Sequence, residues 1–380
     1  MNKKPHISKR VVIAGFGDTG LLTAVNLPKH LNITAISTKP LLVSGQELGT
    51  RLSNPTFWKQ HYFLPFKKFK GLKQVRPVHG EITHINPKQQ QVTIKLNDGA
   101  LIQEDYDALL LSSGVTNSFW RNSKLQNEAE LNDEIHHQHQ QLKHANTIAV
   151  VGGGASGVST ASNLALYNQH AEVHFFYSQA LPLPGYHPKV RCDVEKQLAN
   201  QGVYLHAKHR ADMSHLTQEQ LGSINSGEIQ WQSKQKSFQA DAIIWTVGQL
   251  KPNNQFIPSH MLDSDGFVCV DEYLRVEGYK NIFSVGDIAA TDIHRSSARN
   301  AGFLTAAHNI TQTLAFGDNA QLKPFKASPY RWGSIMGVQY SGMRIYTPKG
   351  GKVRIPLFLV LKVLFPMIVA KFIYKGLNKS

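Results

Sequence analysis

Apolar residues along this chain fall into short runs that close on glycine, and one arrangement occurs twice. Val-Val-Ile-Ala at 11–14 leads into Gly15-Phe-Gly17-Asp-Thr-Gly20, then into Leu-Leu-Thr-Ala-Val-Asn-Leu at helical spacing. Ile-Ala-Val-Val at 148–151 leads into Gly152-Gly-Gly154-Ala-Ser-Gly157, then into Val-Ser-Thr-Ala-Ser-Asn-Leu-Ala-Leu. Each block predicts a strand, a tight turn and a helix. Further apolar runs at 106–114 and 241–248 end in a small residue and glycine. Residues 78–96 alternate and reach Asn97-Asp98-Gly99, a hairpin signal. Residues 281–290 predict a strand that stops at Gly286-Asp287. Strands alternating with helices predict an α/β chain with parallel sheets.

The glycine spacing has a physical reason. The first glycine of G-x-G-x-x-G permits the turn, the second lets a pyrophosphate approach the backbone, and the third packs helix on strand. One such loop is weak evidence. Two, each after an apolar strand and before a helix, predict two dinucleotide sites, one for a bound cofactor and one for an exchangeable one. Asp287 read alone is a solvated cap; with two glycine loops upstream it becomes a ligand-site carboxylate at a strand's C-terminal edge.

Composition narrows the classes. The chain has 380 residues, 41% apolar and 18% charged, so it is globular and long enough for two or three domains. Its net charge of +15 is unevenly placed: residues 319–380 hold 11 Lys and Arg and no acid, leaving only +4 for the rest. A near-neutral body with a basic tail is not a nucleic-acid binder's pattern, and nucleic acid is not an expected partner. Residues 355–374 are apolar but broken by Lys362, Lys371, Pro356 and Pro366, a poor membrane span that suits a membrane surface. The N-terminus is basic without a leader-like apolar run, so a cytoplasmic location at the inner face of a membrane is expected. Cys192 and Cys269 form no redox pair and read as buried or inert thiols; the His-rich stretch 134–144 reads as a solvated helix face, with no metal site expected.

The ordered motifs resemble the two-dinucleotide-binding-domain flavoproteins, which include pyridine nucleotide-disulphide reductases, type II NADH dehydrogenases and apoptosis-inducing-factor-like quinone reductases. The resemblance implies two Rossmann-like domains, the second inserted in the first, plus a C-terminal extension. The implied segments are 1–115 and 246–325 for FAD, 116–245 for NAD(P)H, and 326–380 for membrane association. It implies FAD at Gly15, Gly17, Gly20, Ser37, Thr38, Gly114, Gly286 and Asp287. It implies NADH or NADPH at Gly152, Gly154, Gly157, Ser178 and Gly248. Within the family, the absence of a CxxC-type pair argues against the disulphide reductases. Tyr177-Ser178-Gln179, Arg299-Asn-Ala-Gly302 and Gly333-Ser-Ile-Met-Gly337, with the basic apolar tail, are similar to the membrane-associated quinone reductases.

Three positions depart from the family. The first-domain strand ends Ile36-Ser37-Thr38-Lys39 without the usual ribose-binding acid, and Ser159 stands where quinone-reducing relatives carry glutamate. Tyr177-Ser178-Gln179 also lacks an acid, so NADPH is permitted, with Lys189 or Arg191 assisting. The expected activity is electron transfer from NAD(P)H through FAD to a quinone. His294 and Tyr330 are candidate proton donors, no catalytic residue is assigned, and a homodimer is left open. The rival readings are a flavoprotein weakened in turnover that serves as a binding or signalling module, and nucleic-acid association through the basic surface.

Overall fold

The computed structural model describes residues 8–45, 47–117, 121–247, 251–298 and 301–378. Gly248, Arg299 and Asn300, singled out above, lie outside the described residues.

The first apolar run is the strand Arg10–Ala14, whose Val11, Val12, Ile13 and Ala14 are all but fully buried. Continuous burial means the strand is covered on both faces, as in a parallel sheet. It sits between Asn32–Ser37 and Ala108–Leu111, parallel to both. Ile282–Ser284 extends the sheet on one side and Val75–Asn86 on the other, both in parallel. Gln91–Leu96 and Leu101–Asp105 complete seven strands as antiparallel neighbours. The hairpin signal at Asn97-Asp98-Gly99 therefore joins the last two strands, and a second turn at 87–90 separates Val75–Asn86 from Gln91–Leu96.

The second block is a five-stranded sheet in the order Tyr204–Ala207, Glu172–Tyr177, Thr147–Val151, Phe238–Trp245, Asn225–Ile229. Only the last strand is antiparallel. All its strands lie between Leu111 and Ile282, so the second unit is inserted in the first. The two joins run side by side: Val115–Thr116 pairs with Lys251–Pro252, and Asn253 Nδ2 donates to the Ser113 carbonyl at 2.9 Å.

The C-terminal extension, 326–378, is more structured than a surface appendage. Gly333–Gln339, Gly342–Tyr346 and Lys352–Ile355 form a three-stranded antiparallel sheet. It is bonded to the second unit through Asn163 Nδ2 to the Met336 carbonyl and through Arg344 and Tyr346 to Asp193. A wide, π-wound helical stretch follows at 357–373, containing Pro366. Its inner face enters the first unit: Phe365 stacks near His61 at 4.3 Å, and Tyr374 meets Phe69 edge-on at 5.0 Å. Its outer face leaves Phe358, Leu361, Met367 and Phe372 exposed beside Lys362 and Lys371. Among the described residues, no helix is long and apolar enough to cross a membrane.

Candidate functional site

The two glycine loops are built alike. Gly15 turns with φ +104° and Gly152 with φ +128°, a region that side-chain-bearing residues avoid. A Cβ on Gly15 would strike the Ser112 carbonyl at 2.5 Å, and one on Gly152 would strike Thr246. Ser112 Oγ donates to the Gly15 carbonyl at 2.8 Å, and Thr246 Oγ1 to the Gly152 carbonyl at 3.0 Å. The third glycines, Gly20 and Gly157, press on those same carbonyls. The middle glycines differ: a Cβ on Gly17 or Gly154 would meet nothing within 4 Å. Space is thus kept where a diphosphate would lie, and the surrounding turn leaves no slack.

A cleft enclosing about 1400 Å³, partly open to solvent, runs beside the first loop. Its lining is drawn out along the sheet edge from Gly15 past Gly45 to Gly286, which suits an extended ligand. Gly15, Gly17, Ser37, Thr38, Gly114, Gly286 and Asp287 all line it, so residues from four separate segments converge. Gly20 is buried behind them as a packing residue. Ser37 Oγ accepts from the Lys39 amide at 3.1 Å and remains free to donate. Lys39 stands where a ribose-binding acid was sought. Its ammonium is tied to Asn122 Oδ1, to the Lys124 carbonyl and to Gln126, and burial lowers its pKa to about 8. Glu81, from the neighbouring strand, places a carboxylate on the wall at this end.

Charge is concentrated midway along the cleft. Arg121 Nη1 lies 2.6 Å from Asp287 Oδ2. Asp18, within the glycine loop, accepts from the Gly45 amide at 2.9 Å, while burial raises its pKa above the ordinary carboxylate value. The Arg121 guanidinium attracts a diphosphate. The residues present therefore fit FAD: open space over Gly17, a cation at the centre, and hydroxyl and carboxylate groups at one end.

At the second loop, Ser178 is exposed just past the strand end, and Arg191 is engaged with Gln179 and the Leu181 and Pro182 carbonyls. Ser159 Oγ faces the first unit and accepts from the Gly49 amide at 3.3 Å. His294 and Tyr330 do not line the cleft: His294 abuts Gly185 and Tyr330 faces His187, both in the second unit. Cys192 is exposed rather than buried, and burial raises the Cys269 thiol. His136, His137 and His144 are solvated, whereas His139 docks on the Leu52 carbonyl at 2.9 Å.

Sequence reasoning missed Arg121, Asp18, Ser112 and Glu47. Asp18 had a signal, an acid inside a phosphate-type loop. Arg121 had none, because only the tertiary fold brings it to Asp287.

A family model described as pyridine nucleotide-disulphide oxidoreductase matches residues 9–311. "Apoptosis-inducing factor homolog B" of Dictyostelium discoideum is 27% identical over 340 residues, covering 84% of this chain and 85% of that one. "Ferroptosis suppressor protein 1" of Xenopus tropicalis is 24% identical over 294 residues, covering 74% of each. A solved structure, the water-forming NADH oxidase from Lactobacillus brevis, superposes with TM-score 0.64 at 18% identity, covering 89% of this chain and 75% of that one.

Proposed function

The chain belongs to the pyridine nucleotide-disulphide oxidoreductase family and is an NAD(P)H-dependent flavoprotein oxidoreductase, and from that premise we propose that its electron acceptor is a membrane quinone. FAD supplies the two-electron chemistry that connects the nicotinamide to the acceptor. On this reading, residues 1–115 and 246–325 hold FAD, 116–245 bind NADH or NADPH, and 326–380 meet the membrane. Gly17 admits the FAD diphosphate and Arg121 balances its charge. Gly114 and Gly286 keep the wall thin, with positive φ and no side chain to intrude. Ser37 and Thr38 take the ribose end. Gly154 admits the nicotinamide dinucleotide's diphosphate, with Gly152, Gly157, Ser178 and Gly248 around it. The helix Leu48–Ser53 packs on the helix Ala155–Tyr167 and fixes the second unit against the first.

One observation carries the acceptor. The stretch 357–373 packs half-buried Phe365 beside Tyr62 while exposing Phe358, Leu361, Met367 and Phe372. An apolar face rimmed with lysines lies well on anionic lipid, at about 1 kcal/mol per nearby cation. The reading places the protein at the inner, cytoplasmic face of a membrane as a peripheral protein. NAD(P)H oxidation with a long-chain quinone in anionic liposomes tests it; activity with soluble acceptors alone, and no liposome binding, would reject it.

A further inference from the structure

Two stretches without a single acid meet on the surface of the first unit. Residues 48–80 contain seven Lys and Arg and no Asp or Glu, and 319–380 contain eleven and none. Between Pro65 and Lys73 the chain makes two tight turns, Phe66–Lys68 and Lys70–Leu72. Phe66, Phe69 and Leu72 are buried there, while Lys67, Lys70 and Lys73 are exposed. The end of the tail is bonded to these turns. The Lys70 amide donates to the Gly376 carbonyl at 2.9 Å, and the Asn378 amide to the Lys68 carbonyl at 2.7 Å. A Cβ on Gly376 would lie 3.1 Å from Lys70 Cδ, and one on Gly71 would lie 3.3 Å from Lys375 Cβ. The stems of Lys70 and Lys375 are therefore each laid against the other segment.

The outcome is a cluster of exposed cations, Lys67, Lys70, Lys73, Lys371 and Lys375, drawn from opposite ends of the chain. Among the described residues none of the five forms a salt bridge. Apolar side chains stand among them: Lys371 Nζ lies 5.9 Å from the Phe372 ring, and Met367, Ile368 and Phe372 are exposed. On its inner side the loop supports the first glycine turn, because Phe66 packs at 4.7 Å on Phe16, between Gly15 and Gly17.

The mixture selects the partner. A nucleic-acid backbone would answer the cations but leave the apolar side chains in water. A second copy would set like charge against like. An anionic bilayer answers both, with headgroup phosphates on the lysines and the apolar side chains at the acyl boundary. We propose that the loop 65–73 and the tail end at 371–378 form one docking surface for an anionic lipid bilayer, so that the first unit itself, and not the tail alone, is held on the membrane. This rests on the membrane reading above and extends it to Lys67, Lys70 and Lys73.

The test is co-sedimentation of the full-length holoprotein with vesicles of phosphatidylcholine alone and of phosphatidylcholine mixed with phosphatidylglycerol, over a range of salt. Wild type is compared with a triple variant, Lys67→Gln, Lys70→Gln and Lys73→Gln, and with the same three lysines changed to arginine. A cation near an anionic surface is worth roughly fivefold in partitioning. The glutamine variant is therefore expected to lose at least tenfold on the mixed vesicles and to show a shallower salt dependence. The arginine variant binds as wild type does, and melting temperature and FAD content hold in both. A glutamine variant that sediments like wild type would overturn the loop's part while leaving the tail's. Wild type that binds both vesicle types equally, or that duplex DNA releases from the mixed vesicles, would overturn the anionic-lipid assignment. Wild type that sediments with neither vesicle would overturn the membrane reading, and this surface with it.

Discussion

Arg121 and Asp287 meet at 2.6 Å across the cleft although 166 positions separate them. Gly45 makes the meeting possible, since a Cβ there would lie 2.6 Å from Arg121 Nε. The pair joins the stretch after the first crossover to the late Gly-Asp strand end, the two pieces of the chain that must close on one cofactor.

Arg121→Ala removes the guanidinium that stands between Asp287 and the diphosphate. Charge-assisted hydrogen bonds contribute about 1.5–3 kcal/mol, so FAD affinity is expected to fall at least tenfold. Arg121→Lys recovers part of it. Flavin released on dilution through a desalting column, followed by absorbance, checks this; full retention in the alanine variant contradicts it.

Gly154→Val fills the open space over the second loop without touching the first. The purified variant is expected to stay yellow while flavin reduction by NADH and NADPH slows by more than a hundredfold. Stopped-flow absorbance measures it, and a wild-type rate would remove the second loop from nucleotide binding.

Much of this was legible because each glycine motif is a local statement. Strand, turn and helix follow from a dozen consecutive residues, and both loops formed where the pattern placed them. The parts that were not legible depend on distant chain. Nothing near Arg121 announces Asp287, and the places of half-buried His294 and exposed Tyr330 follow from how 185–187 lies against them. The tail was half legible. Its apolar residues could serve a membrane surface or internal packing, and the fold divides them: Phe365 and Tyr374 point into the body. Removing 353–380 would therefore strip packing from Phe69 and Tyr62 as well as any membrane face.

Point substitutions on the outer side separate these roles. Phe358 is 61% exposed and Phe372 59%. Replacing each with serine forfeits about 1.5–3 kcal/mol of burial in lipid, roughly tenfold or more in partitioning per residue. Co-sedimentation with anionic liposomes should drop while the melting temperature holds. Unchanged sedimentation would assign that face to another partner.

Glu47 links stability to pH. Its carboxyl rises from 4.5 to about 7 in the folded chain, chiefly through burial. A raised folded-state value means the contribution is complete below about 4.5 and is lost as pH rises through about 7. Wild type should lose roughly 3 kcal/mol relative to Glu47→Gln across that window. Urea unfolding at about pH 5 and about pH 8 measures the difference; a gap that does not change with pH contradicts the burial of a neutral acid.

The most direct measurement is an anaerobic titration of the purified protein followed by absorbance. The chain is expected to carry one FAD, to bleach on addition of NADH or NADPH, and to regain its colour when a quinone is added. A protein that neither carries FAD nor takes it up would contradict the whole account. One that bleaches but stays bleached with quinone would leave the flavoprotein and remove the acceptor.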